Sequence, residues 1–242
     1  MILLNMKKRI LFLALAFAAL SSCRDDEREE IAPEVNIEVQ NKYDDEAAQK
    51  FLQTHVFDAK GNLKDYDEKI AGQVKLSDLN PVVLPSGTIY VVRPEAQPVA
   101  GTVIGDSDIL RLMSKTVTYL ATKTDDVVAF TSPFVFKNTI AGSGIPEIDP
   151  AYFYVKEAVL DNAVNELAKK RSFYEIEGFK EAMKYFKAYN LPDESNYNLQ
   201  GVIIVPSRAA FARDAHFNYS GVGFKDRSFI FNFQVYKSTP RN

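Results

Sequence analysis

The sequence predicts an α+β fold in which an antiparallel sheet wraps over one central helix, and three observations carry that prediction. Phe229, Phe231, Phe233 and Val235 alternate with Ile230, Asn232, Gln234 and Tyr236, the two-residue period of a strand with one face in a core. Phe179, Ala182, Met183 and Phe186 fall at i, i+3, i+4 and i+7, one apolar stripe of a helix, with Lys180, Glu181 and Lys184 on its other side. Strand-like runs come before that helix and two more close the chain, which is the order of an α+β domain rather than of alternating βαβ units.

Composition sets the limits. With 242 residues, 46% apolar, 25% charged and 12% aromatic, the chain can bury one sizeable core, which excludes wholesale disorder and fibrous folds. A formal charge of −3, from 29 Lys and Arg against 32 Asp and Glu, offers no basic surplus for a nucleic-acid partner. Two histidines (His55, His216) and one cysteine (Cys23) leave no residue set for structural zinc, a disulfide scaffold or a thiol redox couple. No cofactor and no metal are expected.

The N-terminus reads as a secretory signal. Met6-Lys7-Lys8-Arg9 is a positive n-region, and the apolar run of residues 10–20 is too short to span a bilayer of about 30 Å. Leu20-Ser21-Ser22-Cys23 resembles a bacterial lipobox, so cleavage is expected before Cys23, which would carry the lipid, with palmitate among its acyl chains. Acyl chains add about 0.8 kcal/mol per buried methylene, so several on one terminus anchor a protein without a spanning helix. Arg24-Asp25-Asp26-Glu27-Arg28-Glu29-Glu30 resembles the acidic export tags of some surface lipoproteins and reads equally as a solvated spacer. Loss of residues 1–22 removes Lys7, Lys8 and Arg9 and no acid, taking the formal charge from −3 to −6. Such a surface suits neither DNA nor anionic headgroups, so the lipid is the expected membrane contact. The implied place is the cell envelope, anchored to the outer membrane on its periplasmic or its outer face.

The organisation follows as a signal peptide over 1–22, a tether with an N-terminal helix over 23–80, and a folded domain over 81–238. Residues 24–42 are charged, contain Pro33 and lack a helical period, which predicts a linker. Asp44 or Asp45 can cap a helix carrying Ala47, Ala48, Phe51 and Leu52 and ending before Gly61. Asn80-Pro81 marks a break. Strands are predicted after the turn at Leu84-Pro85-Ser86-Gly87, over 109–120, and over 127–136, where Pro133 suits an edge or a bulge. Val155, Ala158, Val159, Ala163 and Leu167 predict an amphipathic helix within 153–171, and residues 199–205 a buried strand ended by Pro206-Ser207.

Several pieces, in this order, resemble the FKBP family of peptidyl-prolyl cis-trans isomerases. Leu84-Pro85-Ser86-Gly87-Thr88-Ile89-Tyr90 resembles the family's "SGLxY" strand, Gly105-Asp106 its "GD", and Phe130-Thr131-Ser132 its "FDSS". Ile176-Glu177-Gly178-Phe179-Lys180-Glu181-Ala182 resembles "VIxGWxEAL" at the entry to the central helix. Val205-Pro206-Ser207-Arg208-Ala209-Ala210-Phe211 resembles "IPSxLAYG", and residues 228–235 resemble the closing "TLIFDVEL". The resemblance covers roughly residues 82–237. It implies an FKBP-like, half-open antiparallel sheet over a central helix, with an N-terminal helical extension and a helical insertion.

The resemblance also implies a site. The substrate's proline ring would enter an apolar hollow floored by Phe179, with Ile176 offering its backbone N–H to the substrate carbonyl and Phe211 forming a wall. Phe130, Tyr119, Phe231 and Thr131 would complete the binding surface, with Met113 in the place of Tyr119 if the strand register slides. The implied activity is isomerisation of X-Pro bonds in exported proteins, by a lipid-anchored folding factor whose partners are proline-containing polypeptide segments. Such catalysis needs no nucleophile, metal or proton donor, because a dry pocket disfavours the planar, charge-separated amide relative to its twisted form.

Departures from the family pattern oppose catalysis. The family's "AYG" tyrosine is Phe211, the acid of "FDSS" is Thr131, the tryptophan floor is Phe179, and the segment from Phe130 to Ile176 is longer than the family's loop, with an insertion between Phe136 and Ile176. A second reading is therefore a catalytically weak or inactive FKBP-like binding module or chaperone, or a subunit of an envelope complex. A hydrolase built on Ser207, Asp214 and His216 has no support, since no G-x-S-x-G elbow surrounds the serine.

Overall fold

A computed structural model gives the structure and describes residues 35–241. The signal, Cys23 and the acidic block lie outside the described residues.

Helix α1 (Ile37–Thr54) runs straight into the hairpin β1 (His55–Phe57) and β2 (Leu63–Asp65), and a 3-10 turn at Leu76–Asp78 leads to β3 (Val82–Val83) and β4 (Ile89–Val92). The short β5 (Thr102–Val103) precedes a long hairpin, β6 (Ile109–Thr124) and β7 (Val127–Asn138). Its two-residue turn, Asp125-Asp126, has positive φ at both positions (48° and 63°), the type I′ geometry that matches strand twist. β8 (Glu147–Ile148), α2 (Glu157–Asp161) and a 3-10 turn at Arg171–Phe173 follow. The chain closes through α3 (Glu177–Met183), β9 (Lys187–Ala188), β10 (Gly201–Val205), a 3-10 turn at Ser207–Ala209, and β11 (Arg227–Thr239).

The main sheet is antiparallel, in the order β3-β4-β10-β11-β6-β7, with β8 paired to the start of β6. Phe179, Ala182, Met183 and Phe186 bury the expected stripe of α3 and its following turn against Ile203, Val205, Phe231 and Phe233. Each buried Phe contributes about 1.5–3 kcal/mol, so the ring-rich seam between α3 and β11 is a substantial source of cohesion. The expected α+β arrangement, an antiparallel sheet over one short central helix, is therefore present.

The second face of the sheet departs from expectation. β11 was expected to bury one face and buries both, because α1 packs Ala48, Phe51 and Leu52 over Ile89, Val91, Val202, Ile204 and Ile230. The polar residues of β11 that mimic a solvent face are brackets for loops. The Asn232 amide donates to the carbonyls of Gly61 and Gly201, each at 3.0 Å, and Gln234 accepts the N–H of Asn198 at 2.6 Å.

Three further boundaries move. The predicted linker over 24–42 is helical from Ile37, where Asn36 caps α1 by accepting the N–H of Glu38 at 2.8 Å. The stripe that α1 buries starts with Gln40 and Asp44, so its first turns carry no apolar period to read. The body begins at Asn36 and the boundary expected at residue 81 separates no two bodies. The helix expected over 153–171 shrinks to Glu157–Asp161, closed by Asn162, whose side chain donates to the Ala158 carbonyl at 2.7 Å, and Val159 and Leu167 stay exposed. Among the described residues, no helix is long and apolar enough to cross a membrane.

Candidate functional site

The entry to α3 builds the floor that the sequence points to. Phe179 lies parallel to Phe231, ring centroids 4.1 Å apart, and meets Phe233 edge-on at 6.0 Å. Gly178 lets the helix approach this closely, since a Cβ there would stand 2.2 Å from Thr88 Oγ1 and 2.7 Å from Val205 Cγ1. Ile176 caps α3 and points its backbone N–H away from the helix. Phe211 follows the 3-10 turn at Ser207–Ala209 and packs against His216, Phe224 and Phe229.

These four residues, Ile176, Phe179, Phe211 and Phe231, come together as expected, but the hollow they should border is filled. Ile176, Phe179 and Phe231 have no exposed surface and Phe211 has 3%. The filling residue is Tyr152, from the segment between β8 and α2. Its ring sits 5.3 Å from Phe136, 5.8 Å from Phe179, 5.9 Å from Phe231 and 6.1 Å from Tyr219. Its carbonyl accepts the Ile176 N–H at 2.8 Å, and its hydroxyl donates to Glu147 at 2.8 Å. Burial, with the negative charge of Glu147 added, holds that phenol well above its ordinary pKa and so protonated. Lys137 balances Glu147 at 3.2 Å.

The remaining predicted residues do not join the hollow. Tyr119 and Phe130 face α1, 5.4 Å from each other and about equally close to Phe51, at 6.4 and 6.1 Å. The cause is register. Phe231 stands opposite Thr116 and Phe229 opposite Thr118, so the positions of β6 that look toward α3 are Ser114, Thr116 and Thr118, and Tyr119 has the opposite parity. Met113, the alternative, shares that parity and is buried opposite Gln234. On β7, Thr131 pairs with Leu120 and Phe134 with Thr118, three steps against two, so a bulge at Ser132-Pro133 switches faces. Beyond it Phe134 and Phe136, not Phe130, join the α3-side core. Thr131 donates its hydroxyl to the Leu120 carbonyl at 3.2 Å, inside the hairpin.

Tyr152, Phe153 and Phe136 are the residues that sequence reasoning missed. The aromatic run Tyr152-Phe153-Tyr154 after Pro150 was the available signal, and a helical reading of 153–171 absorbed it. The hydrolase trio is excluded by its partners: Ser207 donates its hydroxyl to Asp44 at 2.5 Å, and His216 Nε2 accepts the Phe224 N–H at 2.9 Å.

Open space lies on the α1 side. A cleft of about 430 Å³ is lined by Phe51, His55, Lys64, Lys115, Tyr119 and Tyr197, and a neighbouring one of about 290 Å³ adds Phe130. His55 stacks on Phe51 at 3.6 Å between centroids, and burial lowers its pKa against the opposing pull of the Phe51 carbonyl and Asp65.

No family model matches the chain, and no curated relative does. Among solved structures the chain is similar to a peptidyl-prolyl cis-trans isomerase from Pseudomonas syringae pv. tomato, with TM-score 0.40 and 11% identity over 86% of this chain and 98% of that one. It is also similar to FkpA from Escherichia coli, with TM-score 0.37 and 19% identity over 97% of this chain and 82% of that one.

Proposed function

We propose that the protein is a lipid-anchored envelope factor whose FKBP-like domain engages extended, proline-containing segments of exported proteins, with X-Pro isomerisation suppressed while Tyr152 fills the hollow. One observation carries the reading: the α3 entry presents a ring floor, Phe179 on Phe231, and a backbone donor, Ile176 N–H, to the same space. That space accepts a ring and a carbonyl together, which is what a proline residue offers. The lipid anchor is supported by the n-region, apolar run and lipobox standing in register, with Cys23 as the acylated residue.

The weakness of catalysis follows from the same residues. Rotation about X-Pro faces a barrier of about 18–20 kcal/mol, and lowering it requires a dry pocket that the substrate can enter. Here the pocket is occupied, and Phe211 lacks the hydroxyl that the family's tyrosine would give to a substrate carbonyl.

The test is a titration of the mature lipoprotein in detergent with an Ala-Leu-Pro-Phe peptide, followed by the amide signals of Ile176 and Phe179, beside a chymotrypsin-coupled isomerisation assay. Expected are shifts that an Ala-Leu-Ala-Phe control does not produce, and isomerisation no faster than in buffer. Equal response to both peptides removes the proline reading. Incorporation of labelled palmitate that persists in Cys23→Ala removes the anchor.

A further inference from the structure

We infer that the segment from Asp149 to Tyr154 is a built-in occupant of the hollow, and that Tyr152 must leave before a polypeptide can bind there. The inference rests on the proline-segment reading above and adds its regulation. Tyr152 satisfies the hollow's two demands at once. Its ring fills the space among Phe136, Phe179, Phe231 and Tyr219, and its own carbonyl takes the Ile176 N–H at 2.8 Å. An incoming segment would compete for both, so an open and a closed state exclude each other by contact.

The segment is a short turn with space beside it. A tight turn presents Tyr152: Asp149 takes a positive φ of 56°, and the N–H groups of Phe153 and Tyr154 both donate to the Pro150 carbonyl. The segment is held by the Asp149 N–H, which donates to the Leu110 carbonyl at 2.8 Å, by the buried ring of Phe153, and by ion pairs at its edge. Asp149 pairs with Arg241 and with Lys156, and Glu147 pairs with Lys137. Beside the turn lies an open, mostly apolar cavity of about 310 Å³ lined by Ala151, Tyr154, Val155, Tyr174 and Phe217, onto which a displaced aromatic side chain can lodge. Exposed residues lie on both sides of the segment, over 141–145 before β8 and over much of 162–170 after α2.

A ligand that binds only the open state sees its affinity reduced by the fraction of molecules that are open. Tyr152→Ala removes the competing ring. The experiment compares the native chain, Tyr152→Ala and the double variant Tyr152→Ala/Phe179→Ala in binding the Ala-Leu-Pro-Phe peptide, each checked for folding by near-ultraviolet circular dichroism. Expected is at least tenfold tighter binding by Tyr152→Ala than by the native chain, with the gain lost in the double variant. Equal affinity in native and Tyr152→Ala overturns the occupant while leaving the binding reading intact. Absence of binding in a folded Tyr152→Ala overturns the binding reading itself. Should Tyr152→Ala fail to fold, the native chain answers: saturating peptide must move the Tyr152 ring signals toward solvent values, and peptide bound with those signals unmoved overturns the inference.

Discussion

One oxygen of Asp44 accepts both the backbone N–H of Ser207, at 2.8 Å, and its hydroxyl, at 2.5 Å, while Gln40 donates to the other oxygen at 3.0 Å. The pair joins α1, on one side of the sheet, to the 3-10 turn that delivers Phe211 to the other. Both side chains are buried. Asp44→Ala therefore leaves a buried N–H and hydroxyl without partners, at about 1–3 kcal/mol each. Urea unfolding of the variant is expected to show a loss of about 2–6 kcal/mol, against about 1 kcal/mol for Ser207→Ala, which keeps the N–H bond. Equal losses in the two variants would mean that the hydroxyl alone matters.

Two aspartates should drive stability in opposite directions with pH. Burial raises the Asp44 pKa, over the opposing hydrogen bonds from Ser207 and Gln40 and the charge of Arg208. The folded state then holds its proton to higher pH than the unfolded chain does, so the Asp44 contribution is full below the unfolded value and is lost as pH rises through the folded one. Burial would also raise Asp149, but hydrogen bonds from Arg241 and Lys156, with their charges, hold it below the ordinary carboxylate range. Its contribution is present above the unfolded value and is lost as pH falls through the folded one. Urea midpoints measured from pH 3 to pH 7 should show a steeper acid-side rise in Asp44→Asn than in the native chain, and a flatter one in Asp149→Asn. Parallel curves for all three proteins would contradict both assignments.

Where residues contributed to packing by their own period, the sequence was readable. The stripe Phe179, Ala182, Met183 and Phe186 and the alternation of Phe229, Phe231 and Phe233 both declare their faces, and the structure buries them as those patterns require. Where a polar residue does core work the period vanishes, as at Gln40 and Asp44 on the buried side of α1. Alternation does not reveal which way a strand bulge turns the residues beyond it, even where Pro133 marks the place for an edge or a bulge. Phe130, Phe134 and Phe136 have the same parity in sequence, yet the extra residue at Ser132-Pro133 sends the first toward α1 and the others toward α3. Occupation of the hollow by Tyr152 depends on a contact between residues far apart in the chain, which no local pattern encodes.

That bulge offers its own test. Ser132 adopts a φ of 50°. The left-handed region costs a non-glycine residue about 1–2 kcal/mol, and the greater chain entropy of glycine when unfolded returns about 0.5–1 kcal/mol of any relief. Ser132→Gly is expected to stabilise the fold by about 0.5–1 kcal/mol, read from the urea midpoint, with no change in the faces of Phe130 and Phe134. A destabilised variant would show that the Ser132 side chain, rather than its backbone shape, holds the bulge.

Gly178 sits inside α3, where Ala would ordinarily improve a helix by about 1 kcal/mol. The packing opposes that gain. A Cβ at this position would meet Thr88 Oγ1 at 2.2 Å, Val205 Cγ1 at 2.7 Å and the Ala209 Cβ at 3.0 Å. Thr88 cannot turn aside freely, because its Oγ1 accepts the Ser86 hydroxyl at 2.8 Å, and Val205 is fixed in β10. Overpacking of this kind costs about 1–3 kcal/mol, more than the propensity gain returns. Gly178→Ala should therefore lose about 1–2 kcal/mol in urea unfolding, and because α3 must lift, the Phe179–Phe231 stack should loosen with it. Ring-current shifts of the Phe231 protons report that stack directly. A variant as stable as the native chain, with those shifts unchanged, would mean that the helix has slack against the sheet and that the floor of the hollow is not set by this glycine.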